Sequence, residues 1–286
     1  MSATATTTTH RHAESEFGSW ELASRPPHPV LAPYVRGYQD YREDEAPVAR
    51  REVPTGDVAV IISWGARLDV SGPRYGALRP TSFVVGLHDA YAVVEPREPW
   101  AGMQVDLTPL GAHILLGVPM DALTNRLVAL EDVLGPDTSL LVERLFEARL
   151  SDARFDVLEA VLLSRLDGAR EPSPDVDWAW RRLAATHGAV DIGALTEELG
   201  CSRRHLSRRF REQVGIAPKA LARILRFRRV LELIERDGVD GWADIAVRCG
   251  YYDQPHLNRD FREFAGHTPR EYVMRLLPNG GGLSAA

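Results

Sequence analysis

The sequence has few of the features that assign a protein to a special class. Its 286 residues include only two cysteines, Cys201 and Cys249, which cannot build a disulfide framework and do not have metal-ligand spacing. No apolar run approaches the roughly 18 residues that a membrane span needs. Residues 1–16 hold a threonine run and two histidines but no apolar stretch, so they do not resemble a secretory signal and are expected to form a flexible tail. We therefore expect a cytoplasmic protein without a membrane partner.

An overall positive charge is also missing, because 34 basic residues face 40 acidic ones and the formal net charge is −6. Taken alone, this charge argues against a nucleic-acid partner. However, residues 1–170 carry a net charge of −8, whereas residues 171–286 carry +2. The segment 203–229 holds ten basic residues, and Glu212 is its single acidic residue. Such a local field attracts polyanions, although an ordinary solvated helix face has the same composition.

The apolar periodicity changes along the chain. Short apolar or alternating runs between turn-forming residues predict strands at Asp57–Trp64, Ser82–Leu87, Ala90–Val94 and Met103–Leu107. After Pro109, apolar residues recur every three or four positions, which predicts helices over Ala112–Leu116, Met120–Leu134, Ser139–Leu150 and Phe155–Leu166. The spacing of the strands favours an antiparallel sandwich or barrel.

The C-terminal part of the chain contains a duplication. Five residues recur 51 positions later, so that Leu206, Arg208, Phe210, Gly215 and Pro218 correspond to Leu257, Arg259, Phe261, Gly266 and Pro269. Upstream the offset is 50, so that Leu195, Thr196 and Gly200 correspond to Ile245, Ala246 and Gly250. The repeat is too long and has too few copies for a solenoid, which indicates two copies of one supersecondary unit.

Each copy has the pattern of a helix-turn-helix unit. A short apolar helix precedes a glycine that suits a left-handed turn, Gly200 or Gly250. A good N-cap residue follows, Ser202 or Asp253, and starts a second helix. That helix has leucine and phenylalanine on one face and a polar, arginine-bearing face opposite. A DNA major groove accepts such a helix, and arginine, glutamine and asparagine can bind bases there bidentately.

The segment between the copies, Pro218–Arg236, has a long helical pattern without glycine or internal proline. A single helix there would fix the separation of the two units. Their second helices could then enter successive turns of the major groove, about 34 Å apart. In that arrangement one chain can recognise a bipartite site without dimerisation.

Residues Asp175–Met274 resemble the DNA-binding domain of the AraC/XylS family of transcription regulators. The motifs that carry this resemblance are LTEELGCSRRHLSRRFREQVGIAPKAL, the Phe227–Arg229 triplet of the connecting helix, and IAVRCGYYDQPHLNRDFREFAGHTPREYV. Upstream, VPTGDVAVIISWG, FVVGLHD and LTPLGAHILLGVP resemble the small cupin-like sensor domain that many such regulators carry. This second resemblance implies effector binding and dimerisation.

The expected fold is therefore α+β, with an antiparallel cupin-like sandwich or barrel and trailing helices, followed by an all-α domain of two helix-turn-helix units joined by a long helix. The expected divisions are a flexible tail over 1–16, a sensor and dimerisation domain over 17–167, a linker over 168–175, the tandem helix-turn-helix domain over 176–277 and a second flexible tail over 278–286.

The resemblance implies that the outward face of each second helix contacts DNA. The candidate DNA-binding residues are Arg203, Arg204, Ser207, Arg208, Arg211, Gln254, His256, Asn258, Arg259 and Arg262. In the second copy, residues 253–270 include three basic and three acidic residues, so this copy is neutral. We expect the first copy to attract phosphate more strongly.

The expected function is sequence-specific DNA binding in transcription regulation, without enzymatic activity. The partners are double-stranded DNA and RNA polymerase, with a small-molecule effector and a second copy of the chain as further candidates. The weak effector-binding candidates are Trp64, His88, Tyr91, Trp100 and Met103, for which simple core packing is the alternative. No metal or cofactor is expected, because His88 and His113 do not form a closely spaced pair on one strand.

Two other functions stay open from the sequence. One is a metal-dependent cupin enzyme fused to a DNA-binding domain. The other is a protein-interaction module whose neutral second copy docks on polymerase or another protein.

Overall fold

The computed structural model describes residues 7–15, 18–43, 49–239, 241–276 and 283–285. Antiparallel strands fill its N-terminal part and helices fill its C-terminal part, which confirms the expected α+β class. The strands are β1 (Thr9–Ser15), β2 (Gly18–Arg25), β3 (Val35–Glu43), β4 (Arg50–Glu52), β5 (Val58–Ser63), β6 (Leu68–Gly72), β7 (Tyr75–Leu78), β8 (Phe83–Val85), β9 (Ala92–Pro96), β10 (Trp100–Leu107) and β11 (Leu127–Ala129).

These strands form two antiparallel sheets. One sheet has the order β1-β2-β3-β10-β5-β8-β11, and the other has the order β4-β9-β6-β7. Residues of both sheets share a small apolar core that includes Ile61, Phe83 and Trp100 from the first sheet and Val70 and Ala92 from the second. The sheets therefore face each other as a sandwich.

The helices follow the strands. They are α1 (Pro109–Leu116), α2 (Leu130–Leu134), α3 (Thr138–Glu147), α4 (Ser151–Leu166), α5 (Pro174–Ala185), α6 (Ile192–Glu198), α7 (Arg203–Val214), α8 (Pro218–Asp237), α9 (Trp242–Arg248), α10 (Gln254–Ala265) and α11 (Pro269–Met274). None of the described helices is both long enough and apolar enough to cross a membrane. Between α4 and α5, residues 167–173 contain no helix. Pro174 and Asp175, the last two residues of the expected linker, belong instead to the first turn of α5, where proline is tolerated.

The helix predicted over Met120–Leu134 is wrong. Only a single 3-10 turn forms at Met120–Ala122, and β11 then pairs with β8 before α2 begins. Asn125 breaks the helical path because its φ is +54°, in the left-handed region. The apolar spacing there serves a turn, a strand and a short helix in succession.

Both expected tails need correction where the structure describes them. Thr9–Ser15 is not a flexible tail, because it forms β1 and pairs with β2 along its whole length. At the other end, Leu283 is buried, and its carbonyl accepts a hydrogen bond from the Arg51 backbone N–H at 2.8 Å. Residues 1–6, 16–17, 277–282 and 286 lie outside the described residues.

The duplication is present in three dimensions with the spacing expected from the sequence. Helices α6 and α9 begin 50 residues apart, and α7 and α10 begin 51 residues apart. The turn glycines Gly200 and Gly250 both have positive φ, +61° and +76°. Connecting helix α8 has 20 residues, so it is about 30 Å long.

Candidate functional site

Helix α7 presents its arginines to solvent. The Ser202 side chain caps its N-terminus by accepting a hydrogen bond from the His205 backbone N–H, and Leu206 and Phe210 are fully buried. Because the apolar face is fixed inward, the opposite face is outward. On this outward face Ser207 is half-buried, and four arginines are exposed: Arg203, Arg204, Arg208 and Arg211.

Helix α10 repeats this arrangement. Asp253 caps it through the His256 backbone N–H, and Leu257, Phe261 and Phe264 are buried. Of the predicted contact residues, the two arginines are exposed and the three others are half-buried: Arg259, Arg262, Gln254, His256 and Asn258. The His256 ring packs edge-on against Tyr251, with 5.1 Å between ring centroids.

Three arginines of α8 bind groups on other parts of the protein. Arg223 binds Asp260 at 2.7 Å and also binds Glu263, both on α10. Arg226 donates to the Gly188 carbonyl at 2.8 Å, and Arg228 binds Asp57 of the N-terminal part at 2.6 Å. On α7, by contrast, one arginine is paired, since Arg209 lies 3.7 Å from the Asp175 carboxylate.

The neutral charge of the second copy has a structural explanation. Asp260 is 1% exposed and Glu263 is its neighbour one turn on, and both bind Arg223. Asp253 uses its side chain as the N-cap. The acidic residues of this copy are therefore committed within the domain, and its outward face keeps Arg259 and Arg262.

The exposed arginines on the outward faces of α7 and α10 also lack ion-pair partners among the described residues. Within the described part of the chain, no ion pair engages Arg203, Arg204, Arg208, Arg211, Arg259 or Arg262. Exposed guanidinium groups without protein partners are the groups that can bind phosphate oxygens or base edges.

The N-terminal part contacts both helix-turn-helix units at equivalent places. The Thr124 hydroxyl donates to the Gly215 carbonyl at 2.8 Å, directly after α7. Arg51 donates to the Ala265 carbonyl at 2.8 Å, at the end of α10. Gly215 and Gly266 are 51 residues apart and end the two recognition helices. Sequence reasoning missed both contacts, because nothing local to Thr124 or Arg51 indicates a partner that is 91 or 214 residues away.

A cavity of about 630 Å³ lies between the two sheets, and α8 supplies part of its wall. Two of the five effector candidates, His88 and Trp100, line it. The other three do not: Met103 is fully buried in the main core, Trp64 packs under Arg154 and Tyr91 packs under Arg51. Core packing, the alternative raised from the sequence, accounts for Met103.

The thiols and histidines have no arrangement for metal binding in the part of the chain that the structure describes, where no group of three or more His, Cys, Asp or Glu side chains could hold a metal ion. Cys249 is buried, and burial raises the pKa of its thiol to about 11. Burial also lowers the pKa of His88, whose Nδ1 lies 3.3 Å from the Gly86 carbonyl oxygen.

Two family models match separate parts of the chain. Residues 195–275 match a helix-turn-helix domain, and residues 23–129 match a domain of unknown function, DUF6597.

Curated relatives match part of the chain. The HTH-type transcriptional activator RhaS from Escherichia coli is 32% identical over 82 residues, which cover 29% of this chain and 29% of RhaS. The HTH-type transcriptional regulator Rv1931c from Mycobacterium tuberculosis is 29% identical over 109 residues, covering 38% of this chain and 42% of the relative. The chain thus matches less than half the length of these relatives.

A solved structure of ToxT from Vibrio cholerae aligns with a TM-score of 0.47 and 14% identity, covering 83% of this chain and 97% of ToxT.

Proposed function

Since the chain carries an AraC/XylS-type helix-turn-helix domain behind a separate N-terminal domain, we propose that it binds specific sequences in double-stranded DNA and regulates transcription. The observation that carries this proposal is the pair of recognition helices with exposed, internally unpaired arginines. Their apolar faces are buried, so the arginines cannot turn inward without unfolding the unit.

The proposed mechanism has two parts. Arginines on α7 and α10 displace counterions from phosphates, which gives affinity for any duplex and a strong dependence on salt. The polar side chains of the same faces then contact base edges in two turns of the major groove, which gives sequence specificity. The length of α8, about 30 Å, suits recognition helices that reach neighbouring groove turns.

The remaining partners belong to the same proposal. The N-terminal domain binds a small molecule in the cavity between its sheets, and RNA polymerase and a second copy of the chain are further partners. The proposed location of the protein is the cytoplasm. The cupin-enzyme alternative has no supporting ligand set among the described residues.

The first prediction concerns Arg208 and Arg259, which occupy equivalent positions in the two copies. In vitro selection of bound duplexes supplies the DNA site, and fluorescence anisotropy then measures affinity. We expect Arg208→Ala or Arg259→Ala to cost roughly 1–3 kcal/mol on the selected site if the arginine binds a guanine bidentately. An arginine that contacts only phosphate would instead weaken all sequences alike and flatten the salt slope by about 0.9.

The matched control is Arg149→Ala, which removes an exposed arginine from the loop between α3 and α4. This variant should bind like the wild type. If neither Arg208→Ala nor Arg259→Ala differs from the control on the selected site, the assignment of the recognition faces is wrong.

A further inference from the structure

The cavity between the sheets differs in chemistry along its length. The side chains of Trp100, Gln104 and Asp106 on β10 all line it, and alternate residues of a strand point to one face. Trp100 and Asp106 are six residues apart, so the lined stretch is about 20 Å long. One end of it is aromatic and the other is acidic.

Three aromatic rings form the first end. Trp20 stacks on Tyr41 with 6.3 Å between centroids, and Tyr41 lies 6.0 Å from Trp100. The guanidinium of Arg50 already lies over the Tyr41 ring at 5.5 Å and binds Glu43. The cation–π contact at this end is therefore already made by Arg50, and the rings offer apolar surface to a ligand.

The cavity as a whole is lined by more carboxylates than arginines. Six carboxylates and three arginines line the cavity. Each arginine already has an acidic partner: Arg50 binds Glu43, whereas Arg36 and Arg228 both bind Asp57. In the described residues, no arginine forms an ion pair with Glu52, Asp106 or Glu235. The lining thus has an excess of three negative charges when all its carboxyl groups are ionised.

Desolvation changes the pKa values of two carboxyl groups that line the cavity. Desolvation raises the pKa of Asp106 to about 6, although Gln104 donates a hydrogen bond to it at 2.7 Å, and the negative charges of Asp57 and Glu52 raise it further. Desolvation also raises the pKa of Glu52, although Glu52 is an exposed residue by surface area. Both carboxyl groups would gain from a cation that the protein itself does not supply.

Four buried polar atoms of lining residues lack hydrogen-bond partners within the described structure: the Trp100 indole N–H, Glu43 Oε2, Arg50 Nε and His88 Nε2. Trp100 is 7% exposed and Glu43 is 4% exposed. Buried polar groups are normally satisfied, so orphaned atoms beside a cavity indicate a molecule with hydrogen-bonding groups. This observation is independent of the charge count.

We propose that the cavity binds an amphipathic organic cation, with its positive charge at the carboxylates of Asp106 and Glu52 and its apolar body between the sheets. The proposal rests on the proposed function, in which the N-terminal domain binds an effector. It adds the chemical class of that effector, an amine or quaternary ammonium compound with an elongated apolar part.

The test uses three probes with the same apolar body: 6-phenylhexylamine, 6-phenylhexan-1-ol and 6-phenylhexanoate. Isothermal titration calorimetry on the full chain at neutral pH should show saturable binding of the amine, at least ten-fold tighter than the alcohol, and no binding of the carboxylate. Asp106→Asn and Glu52→Gln should each weaken amine binding at least ten-fold and leave alcohol binding unchanged. Glu143→Gln, which removes an exposed carboxylate from α3, is the matched control.

Other outcomes overturn the proposal. Equal binding of amine and alcohol would mean that the cavity selects only apolar bulk, tighter binding of the carboxylate would reverse the sign of the ligand, and binding of none would remove the site. Duplex binding is measured on the same preparation. A protein that binds DNA but not the amine refutes the ligand class alone, whereas one that binds the amine but no DNA refutes the proposed function alone.

Discussion

At the scale of single residues, Asp106 links stability to pH. Its neighbours on β10, Val105 and Leu107, face the main core, whereas Asp106 faces the cavity and bonds only to Gln104. An aspartate in an unfolded chain ionises near pH 3.9. In the folded protein, desolvation raises the pKa of Asp106 to about 6. Between these pH values the folded state holds more protons than the unfolded state, so this residue lowers stability as the pH rises.

We therefore expect Asp106→Asn to stabilise the protein without ligand. The gain should be about 1–2 kcal/mol at pH 8, since the carboxyl group is partly exposed and its penalty is reduced by solvent. It should shrink as the pH falls through 6 and vanish below about pH 3, where the wild-type carboxyl group is protonated in both states. Urea unfolding at several pH values measures the difference, and Asp121→Asn, on an exposed turn, controls for the loss of one charge. A gain that stays constant across this range would contradict the prediction.

At the scale of elements, α8 does more than separate the two recognition helices. Arg223 on α8 binds Asp260 and Glu263 on α10, and its guanidinium also lies 4.9 Å from the centre of the Phe264 ring. Phe227 on α8 packs edge-on against Phe261 and Phe264. The connecting helix therefore sets the orientation of α10 directly.

Arg223→Ala should destabilise the second unit because it leaves the buried Asp260 without its cation. We expect a loss of about 2–3 kcal/mol in the free energy of unfolding, somewhat below the value for a fully buried pair because Arg223 is partly exposed. The matched control is Arg229→Ala, which breaks a surface pair with Glu232 three residues along the same helix and should cost less than about 1 kcal/mol. Both losses are measured by chemical unfolding. Equal losses would show that the pair with Asp260 contributes no more to stability than the surface pair with Glu232.

The duplicated elements could be predicted from the sequence almost residue by residue, because caps, turn glycines and apolar faces are local signals. Strand β3 could not be predicted from the sequence in this way. Its buried positions include Asp40 and Glu43, which hide the alternation of apolar and polar residues. Asp40 is tolerated inside because Arg154 of α4 donates to it at 2.9 Å and Ser151 donates at 2.7 Å, and Arg154 is 114 residues away in the chain. A partner so far away in the chain cannot be identified from the residues that surround Asp40 in the sequence.

The same limit applies to the candidate sites. The outward arginines of α7 were evident from helical spacing, whereas the internal partners of Arg223 and Arg228 were not, since those partners lie on other elements. Of the cavity, only His88 and Trp100 were anticipated. Its acidic end was missed because Asp57 directly precedes β5 and Asp106 lies on the adjacent strand β10, and only the folded sheet establishes the register between them.

At the scale of the whole molecule, one apolar core runs through both parts of the chain. It includes Leu110 and Met120 from the N-terminal part and Phe210 and Val214 from α7. The domain divisions expected from the sequence stay a proposal, but the packing predicts that the parts influence one another. The polar contacts of Thr124 and Arg51 then fix where each unit lies.

Removing these contacts one at a time should loosen one unit at a time. Thr124→Val should speed amide hydrogen exchange about five-fold around Gly215, the effect of about 1 kcal/mol for a lost hydrogen bond, and leave the region around Gly266 unchanged. Arg51→Met should do the reverse, with about a ten-fold effect because its hydrogen bond is charge-assisted. The control is Thr186→Val, whose hydroxyl bonds only to carbonyls of its own helix. Unaltered exchange at both glycines in both variants would show that the N-terminal part does not hold them.

The matching contacts at the ends of α7 and α10 bear on how the two copies can change over evolutionary time. After a duplication, one copy is commonly free to drift while the other retains the original task. Here a third part of the polypeptide touches the same spot in each copy, through Thr124 in one case and Arg51 in the other. The solvent-exposed side of each copy can therefore change freely during evolution. The two glycines that end α7 and α10 are constrained, because a shift of either one would require a matching change in the sheet domain.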